Sequence, residues 1–179
     1  MTKREKLIEL WYKLQTAIKE NPLNSESARG IRMNHYRKGE GVVDIQNAAQ
    51  KMWEDYDNYD KPRKEIQAKI DELIEIHNPK VIDIHKDVDD EWFGVYVNDE
   101  EAEFSAWLDV CIDEEHRDIE VDWNQYIFHL YDEDDIYQKL HQENDMVFDY
   151  FSSEAVCALE TEGYIYQDDD GNWYKGGVK

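Results

Sequence analysis

Runs of carboxylates dominate the residues that could do chemistry: Asp87-Val88-Asp89-Asp90-Glu91, Asp99-Glu100-Glu101-Ala102-Glu103, Asp113-Glu114-Glu115, Asp132-Glu133-Asp134-Asp135 and Asp168-Asp169-Asp170. Groups of this kind support either metal-assisted hydrolysis or charge-based binding to a cationic surface. For hydrolysis, Asp83-x-His85 and Asp109-x-Cys111-x-Asp113 set ligand types at alternate positions of a strand. Such alternation arises by chance in so acidic a segment, and no nearby lysine completes a nuclease-like set. Asp168-x-Asp170-Gly171 matches part of a calcium loop, but Tyr166 stands at the first ligand position and no glutamate closes the loop. There is no glycine-rich phosphate loop, nucleophile elbow or Cys/His signature. The sequence therefore predicts no catalytic residue, metal site or cofactor, with a metal-dependent nuclease as the lesser alternative.

Charge distribution favours binding. Residues 1–80 hold 15 Lys and Arg against 14 Asp and Glu, whereas residues 81–179 hold 5 against 29. A folded half with that imbalance repels itself, and a basic partner relieves the repulsion. The plainer reading is that the acidity serves solubility. Duplex DNA carries about one negative charge per 1.7 Å of axis, so a protein that displaces it from a basic cleft needs carboxylates at comparable density. The expected partner-binding residues are Asp87, Asp89, Asp90, Glu91, Asp99, Glu100, Glu101, Glu103, Asp113, Glu114, Glu115, Asp132, Glu133, Asp134 and Asp135, gathered by turns into one acidic rim. Trp92, Trp107, Trp123, Tyr131, Trp173 and Tyr174 are anchors for such an interface or, more commonly, core.

The elements that must position these residues follow from periodicity. The expected class is α+β: a helical domain over 1–78, then an acidic domain over 79–179 with an antiparallel sheet, helices and a C-terminal hairpin. Leu7, Leu10, Trp11, Leu14 and Ile18 share one helical face, Thr2 and Glu5 form a capping box, and Asn21-Pro22 ends the helix. A short helix ends at Gly39, and Asp44 caps the next, which carries Ile45, Ala48, Ala49, Met52, Trp53 and Tyr56. Pro62 opens a fourth helix through Ile66, Ile70, Leu73, Ile74 and His77, closed by Asn78-Pro79. Beyond Pro79 the period alternates, predicting strands at 81–85, 92–97, 104–112 and 126–131 in a meander. Helices follow, through Ile136, Tyr137 and Leu140 and then through Met146, Val147, Tyr150, Phe151, Val156 and Leu159, with Gly163 as a cap. The sequence 164–174 reads as a hairpin.

The basic stretch ARGIRMNHYRKGEGVVDIQNAAQKM, residues 28–52, resembles the helix-turn-helix of phage-repressor-type regulators. There a helix with an Asn, Tyr and Arg pattern ends in a basic residue plus glycine before an apolar helix. The resemblance implies that Arg29, Arg32, Asn34, His35, Arg37 and Lys38 face nucleic acid, with promoter DNA as the implied partner of this segment; as bare residues they equally form a solvated surface. In size and layout the chain is similar to small phage-encoded inhibitors of bacterial defence, including type II-A anti-CRISPR proteins, which join such a part to a nuclease-engaging domain. That likeness implies a bacterial nuclease with a basic nucleic-acid cleft as partner, with a DNA-binding regulator as the alternative function. Cys111 and Cys157 show no disulfide or zinc spacing, and the charged N-terminus suits neither a signal peptide nor a membrane span. A reducing host cytoplasm is the expected location.

Overall fold

The computed structural model describes residues 1–21, 42–86, 91–125 and 130–177, and these form two compact units, Met1–Leu73 and Ile74–Lys179. The class is α+β: N-terminal helices, a four-stranded antiparallel sheet, two more helices and a C-terminal two-stranded hairpin.

In the first unit, α1 spans Lys3–Glu20 and α2 spans Val42–Asp71. Thr2 caps α1: its Oγ1 accepts from Glu5 N–H at 3.1 Å while Glu5 Oε2 accepts from Thr2 N–H at 2.6 Å. Leu7, Ile8, Leu10 and Leu14 form the buried stripe of α1, which packs on α2, and Ile70 of α2 is fully buried. The expected break at Pro62 is absent. Asp44 and Pro62 both lie inside the continuous α2, although an interior proline removes an amide donor at a cost of about 3 kcal/mol. Side-chain bridges straddle that defect. The buried Asp60 takes a forked pair of hydrogen bonds from Arg63 at 2.6 and 2.8 Å, and Lys64 reaches back to Asp57 at 3.3 Å. The Arg63 guanidinium holds the Asp60 carboxyl below the usual range. The side chains of 42–49, 51–53 and 55 lie outside the described residues, while Tyr56 is exposed. The helix ends at Asp71 rather than at Asn78, and the backbone amides of His77 and Asn78 donate to the Asp99 carboxylate.

In the second unit, β1 (Lys80–Lys86), β2 (Trp92–Asp99), β3 (Phe104–Asp113) and β4 (Asp118–Trp123) pair in that order, each antiparallel to the next. The fourth strand lies at a position for which the sequence predicts none, and of the strand expected at 126–131, residues 126–129 lie outside the described residues while Leu130 and Tyr131 are not in a strand. The sequence Asp-Ile-Glu-Val-Asp-Trp of β4 alternates cleanly, with Ile119, Val121 and Trp123 half-buried and the acids exposed.

One sheet face is core. Phe93, Val95, Val97, Phe104, Ala106, Leu108, Val110 and Ile112 are buried there beneath α3 (Glu133–Gln142) and α4 (Asp145–Thr161). Phe104 meets Phe151 at 5.0 Å and stacks on His141 at 5.1 Å, and Trp123 meets Phe148 at 5.4 Å and donates to the Gln142 carbonyl at 3.0 Å. Each buried phenyl contributes on the order of 2–3 kcal/mol of transfer free energy. The buried His141 sets Nδ1 2.9 Å from the Tyr137 carbonyl, so that nitrogen carries the hydrogen. Val147, Phe151, Ala155 and Leu159 make the inner face of α4, whereas Met146 and Tyr150, expected on it, are exposed.

Gly163, at φ 77°, closes α4: its N–H donates to Glu160 O and the N–H of Tyr164 to Leu159 O, satisfying two end carbonyls. Strands β5 (Ile165–Gln167) and β6 (Trp173–Lys175) form the terminal hairpin.

Candidate acidic interface

Successive turns of an antiparallel meander fall at opposite ends of the sheet, so the expected single acidic rim does not form. The loop 100–103 is at one end, where Tyr137 of α3 donates to the Ala102 carbonyl at 2.6 Å. Glu91 and the loop 114–117 are at the other, where the hairpin joins through Trp173 N–H to the Arg117 carbonyl.

Within the acidic runs, aspartates that accept from nearby backbone amides stand beside acids that do not. Asp99 is 1% exposed and accepts from three amides, His77 at 2.8 Å, Asn78 at 3.2 Å and Ala102 at 3.1 Å. Burial is the largest single influence on this carboxyl and pushes its pKa up, but the amide bonds together outweigh it and the net shift is downward. Asp99 therefore closes a corner of the fold and presents no charge to a partner. Asp113 repeats the device: Oδ1 accepts from Glu115 N–H at 2.9 Å and His116 N–H at 3.1 Å, and Oδ2 stands 2.6 Å from His116 Nδ1. That last bond lowers the Asp113 pKa and raises that of His116. Both loops end on a non-glycine residue in the left-handed region, Glu103 at φ 52° and Arg117 at φ 58°. Asp132 caps α3 by accepting from Asp135 N–H, Asp135 accepts from Tyr131 N–H, and Asp168 accepts from Asp170, Asn172 and Tyr174 inside the hairpin. A short carboxylate reaches its own loop amides.

Other acids of these runs point to water. Glu100, Glu101, Glu103, Glu114, Glu115, Glu133 and Asp134 are all exposed. Glu101 faces His77 at 3.5 Å and Glu114 pairs with Lys175 at 3.3 Å. Asp87, Asp89 and Asp90 lie outside the described residues, as do the proposed nucleic-acid contacts Arg29, Arg32, Asn34, His35, Arg37 and Lys38.

A denser array sits on the sheet face opposite α3 and α4. Across β3 and β4, Asp109 is the register partner of Asp122, Cys111 of Glu120 and Asp113 of Asp118. These carboxylates occupy a ladder about 14 Å long, since a strand rises about 3.4 Å per residue. Asp118, Glu120 and Asp122 are exposed and make no salt bridge among the described residues. Of the nearby cations, Lys175 pairs with Glu114, Arg117 lies over the Tyr174 ring at 4.8 Å, and His116 is bonded to Asp113. The signal in the sequence was the strict alternation of 118–123, masked by its high acid content.

The anchor candidates divide. Trp123 is half-buried against Phe104, Phe148 and Phe151, Tyr131 is 84% exposed, Trp173 and Tyr174 are half-buried in the hairpin, and Trp92 and Trp107 lie on the acidic face. Asp83 and His85 share that face with Asp109, Cys111 and Asp113, yet no three His, Cys, Asp or Glu side chains among the described residues converge on a point that could hold a metal ion. Burial pushes the Cys111 thiol up, away from the thiolate. Among the described residues no helix is long and apolar enough to cross a membrane. No family model matches the chain, and no curated protein or solved structure matches it.

Proposed function

We propose that this protein is an inhibitor that binds a bacterial nucleic-acid-targeting nuclease, a CRISPR effector or restriction enzyme, and blocks its nucleic-acid site by offering carboxylates in place of phosphates. The observation that carries this reading is the acid-on-acid register of β3 and β4. Like charges directly opposite one another destabilise a sheet by a few tenths to about 1 kcal/mol per pair. Charge on the edge strand β4 alone suffices to keep it from pairing with another chain; matching charge on the interior strand β3 adds nothing to that protection. The ladder spaces its carboxylates at roughly one per 3 Å of strand axis, within about twofold of duplex DNA. Rigid spacing of this kind suits a cationic cleft, and the summed field speeds encounter with it.

The test is cleavage by a candidate nuclease in the presence of the intact protein across a salt series. Inhibition is expected to weaken as salt rises and to fall about tenfold or more when Asp118→Asn, Glu120→Gln and Asp122→Asn are combined. Inhibition indifferent both to salt and to the triple variant would overturn the reading.

A further inference from the structure

The same sheet face carries an aromatic pair that the carboxylates alone do not explain. Tyr96 and Trp107 are register partners on β2 and β3, with ring centroids 5.2 Å apart and planes inclined by 34°. Both are half-buried, on the side away from α3 and α4. Tyr96 is fixed by its hydroxyl, which donates to Ser105 Oγ at 2.9 Å. The Trp107 indole lies along β2 against Gly94, where an added Cβ would stand 3.5 Å from Cε3. The rings are thus held in place without being covered by the helices of this unit.

Carboxylates bracket the pair. Asp83 of β1 is the register partner of Tyr96, and Asp109 is the next residue on the Trp107 side of β3, with Asp122 opposite it. Sheet geometry sets each about 5–7 Å from the residue it borders. Asn124 Nδ2 holds both oxygens of Asp109, at 2.8 and 3.0 Å, which orients that carboxylate without neutralising it. Lys80, opposite Asn98 at the far corner, is the one Lys or Arg in register on this side of the four strands.

A guanidinium is planar, stacks on aromatic faces and forks onto carboxylates, whereas an ammonium is a compact, strongly hydrated point charge. An aromatic plane with an oriented carboxylate at its edge meets both demands of the guanidinium in one place. We propose that the Tyr96–Trp107 surface, flanked by Asp83 and Asp109, docks an arginine side chain of a basic protein partner. This rests on the reading of the chain as a ligand for a cationic cleft, and it adds which cation is recognised. The charge complementarity of the face selects a cationic occupant, and the aromatic pair selects arginine over lysine.

Titration of the intact protein with deca-arginine and deca-lysine peptides, followed by calorimetry and by the indole NMR signals, tests the proposal. The arginine peptide is expected to bind about two- to fivefold more tightly and to shift the Trp107 indole resonance. Trp107→Leu is expected to abolish the preference by weakening arginine-peptide binding more than lysine-peptide binding, and Asp109→Asn to do the same to a smaller extent. Tyr96→Leu serves as a second variant, with circular dichroism to show that each is folded. Equal affinity of the unaltered protein for the two peptides overturns the proposal, as does an arginine preference that survives in a folded Trp107→Leu or Tyr96→Leu protein. A nuclease left uninhibited while the arginine preference stands overturns only the proposed function; inhibition with equal peptide affinities overturns only the arginine site.

Discussion

The corner at Asp99 and the ladder of β3 and β4 use the same chemical group to opposite ends. At the corner one buried carboxylate accepts from three backbone amides and ties the segment before β1 to the β2–β3 loop. On the ladder, Asp118, Glu120 and Asp122 lie open to solvent, Asp118 and Asp122 opposite the carboxylates of Asp113 and Asp109 and Glu120 opposite Cys111. The difference teaches that formal charge says little about a residue's part in the molecule until its partners are known. A carboxylate with amide partners stabilises the fold; one set opposite another carboxylate makes the fold less stable and the surface more negative.

Variants at the two places separate those roles. The largest effect is expected from Asp99→Asn, which leaves buried amides poorly paired and costs about 3 kcal/mol in urea unfolding. The same carboxyl sets a pH dependence. Its pKa is lowered in the folded state, so its contribution is present above the ordinary aspartate range and is lost as pH falls through the lowered folded value. Thermal unfolding of the unaltered protein should therefore lose stability below about pH 4, and Asp99→Asn should flatten that decline.

A smaller loss, about 1 kcal/mol by the same assay, is expected for Asp132→Ala, which removes the cap of α3, whereas the exposed neighbour Glu133→Ala should stay within about 0.5 kcal/mol. On the ladder the sign reverses. Asp122→Lys, placed opposite Asp109, should stabilise by a few tenths to about 1 kcal/mol while weakening nuclease inhibition; a variant that loses stability instead would remove the contrast. The smallest effect concerns His116, whose pKa is raised by its bond to Asp113. That bond contributes below the ordinary histidine range and fades as pH rises through the raised value, so His116→Gln should erase a slight stability difference between acidic and alkaline buffer.

Much of the architecture was legible because it follows from local rules. Thr2 and Glu5 announce the start of α1, the alternation of 104–112 announces a strand with one apolar face, and Gly163 announces the end of α4. Pro62 misled because a helix-breaking residue is a local cost that flanking pairs such as Asp60 with Arg63 offset through side chains. The strand 118–123 is hard to see in the sequence because its high acid content hides the alternation, whereas the more aromatic run 126–131 attracts a strand assignment. The acidic residues of the turns were visible, but the array that carries the proposed function was not. Asp109, Asp118, Glu120 and Asp122 become one surface only through the pairing of β3 with β4.

The sequence by itself determined the strong acidity beyond Pro79, the α+β order of elements and the caps at helix ends, since composition, periodicity and capping act over a few neighbouring residues. Tertiary structure alone decided which carboxylates meet amides and which meet each other. Register brings together residues far apart in the chain, and a shift of one position would have turned Asp118, Glu120 and Asp122 into the core and Ile119, Val121 and Trp123 out to water.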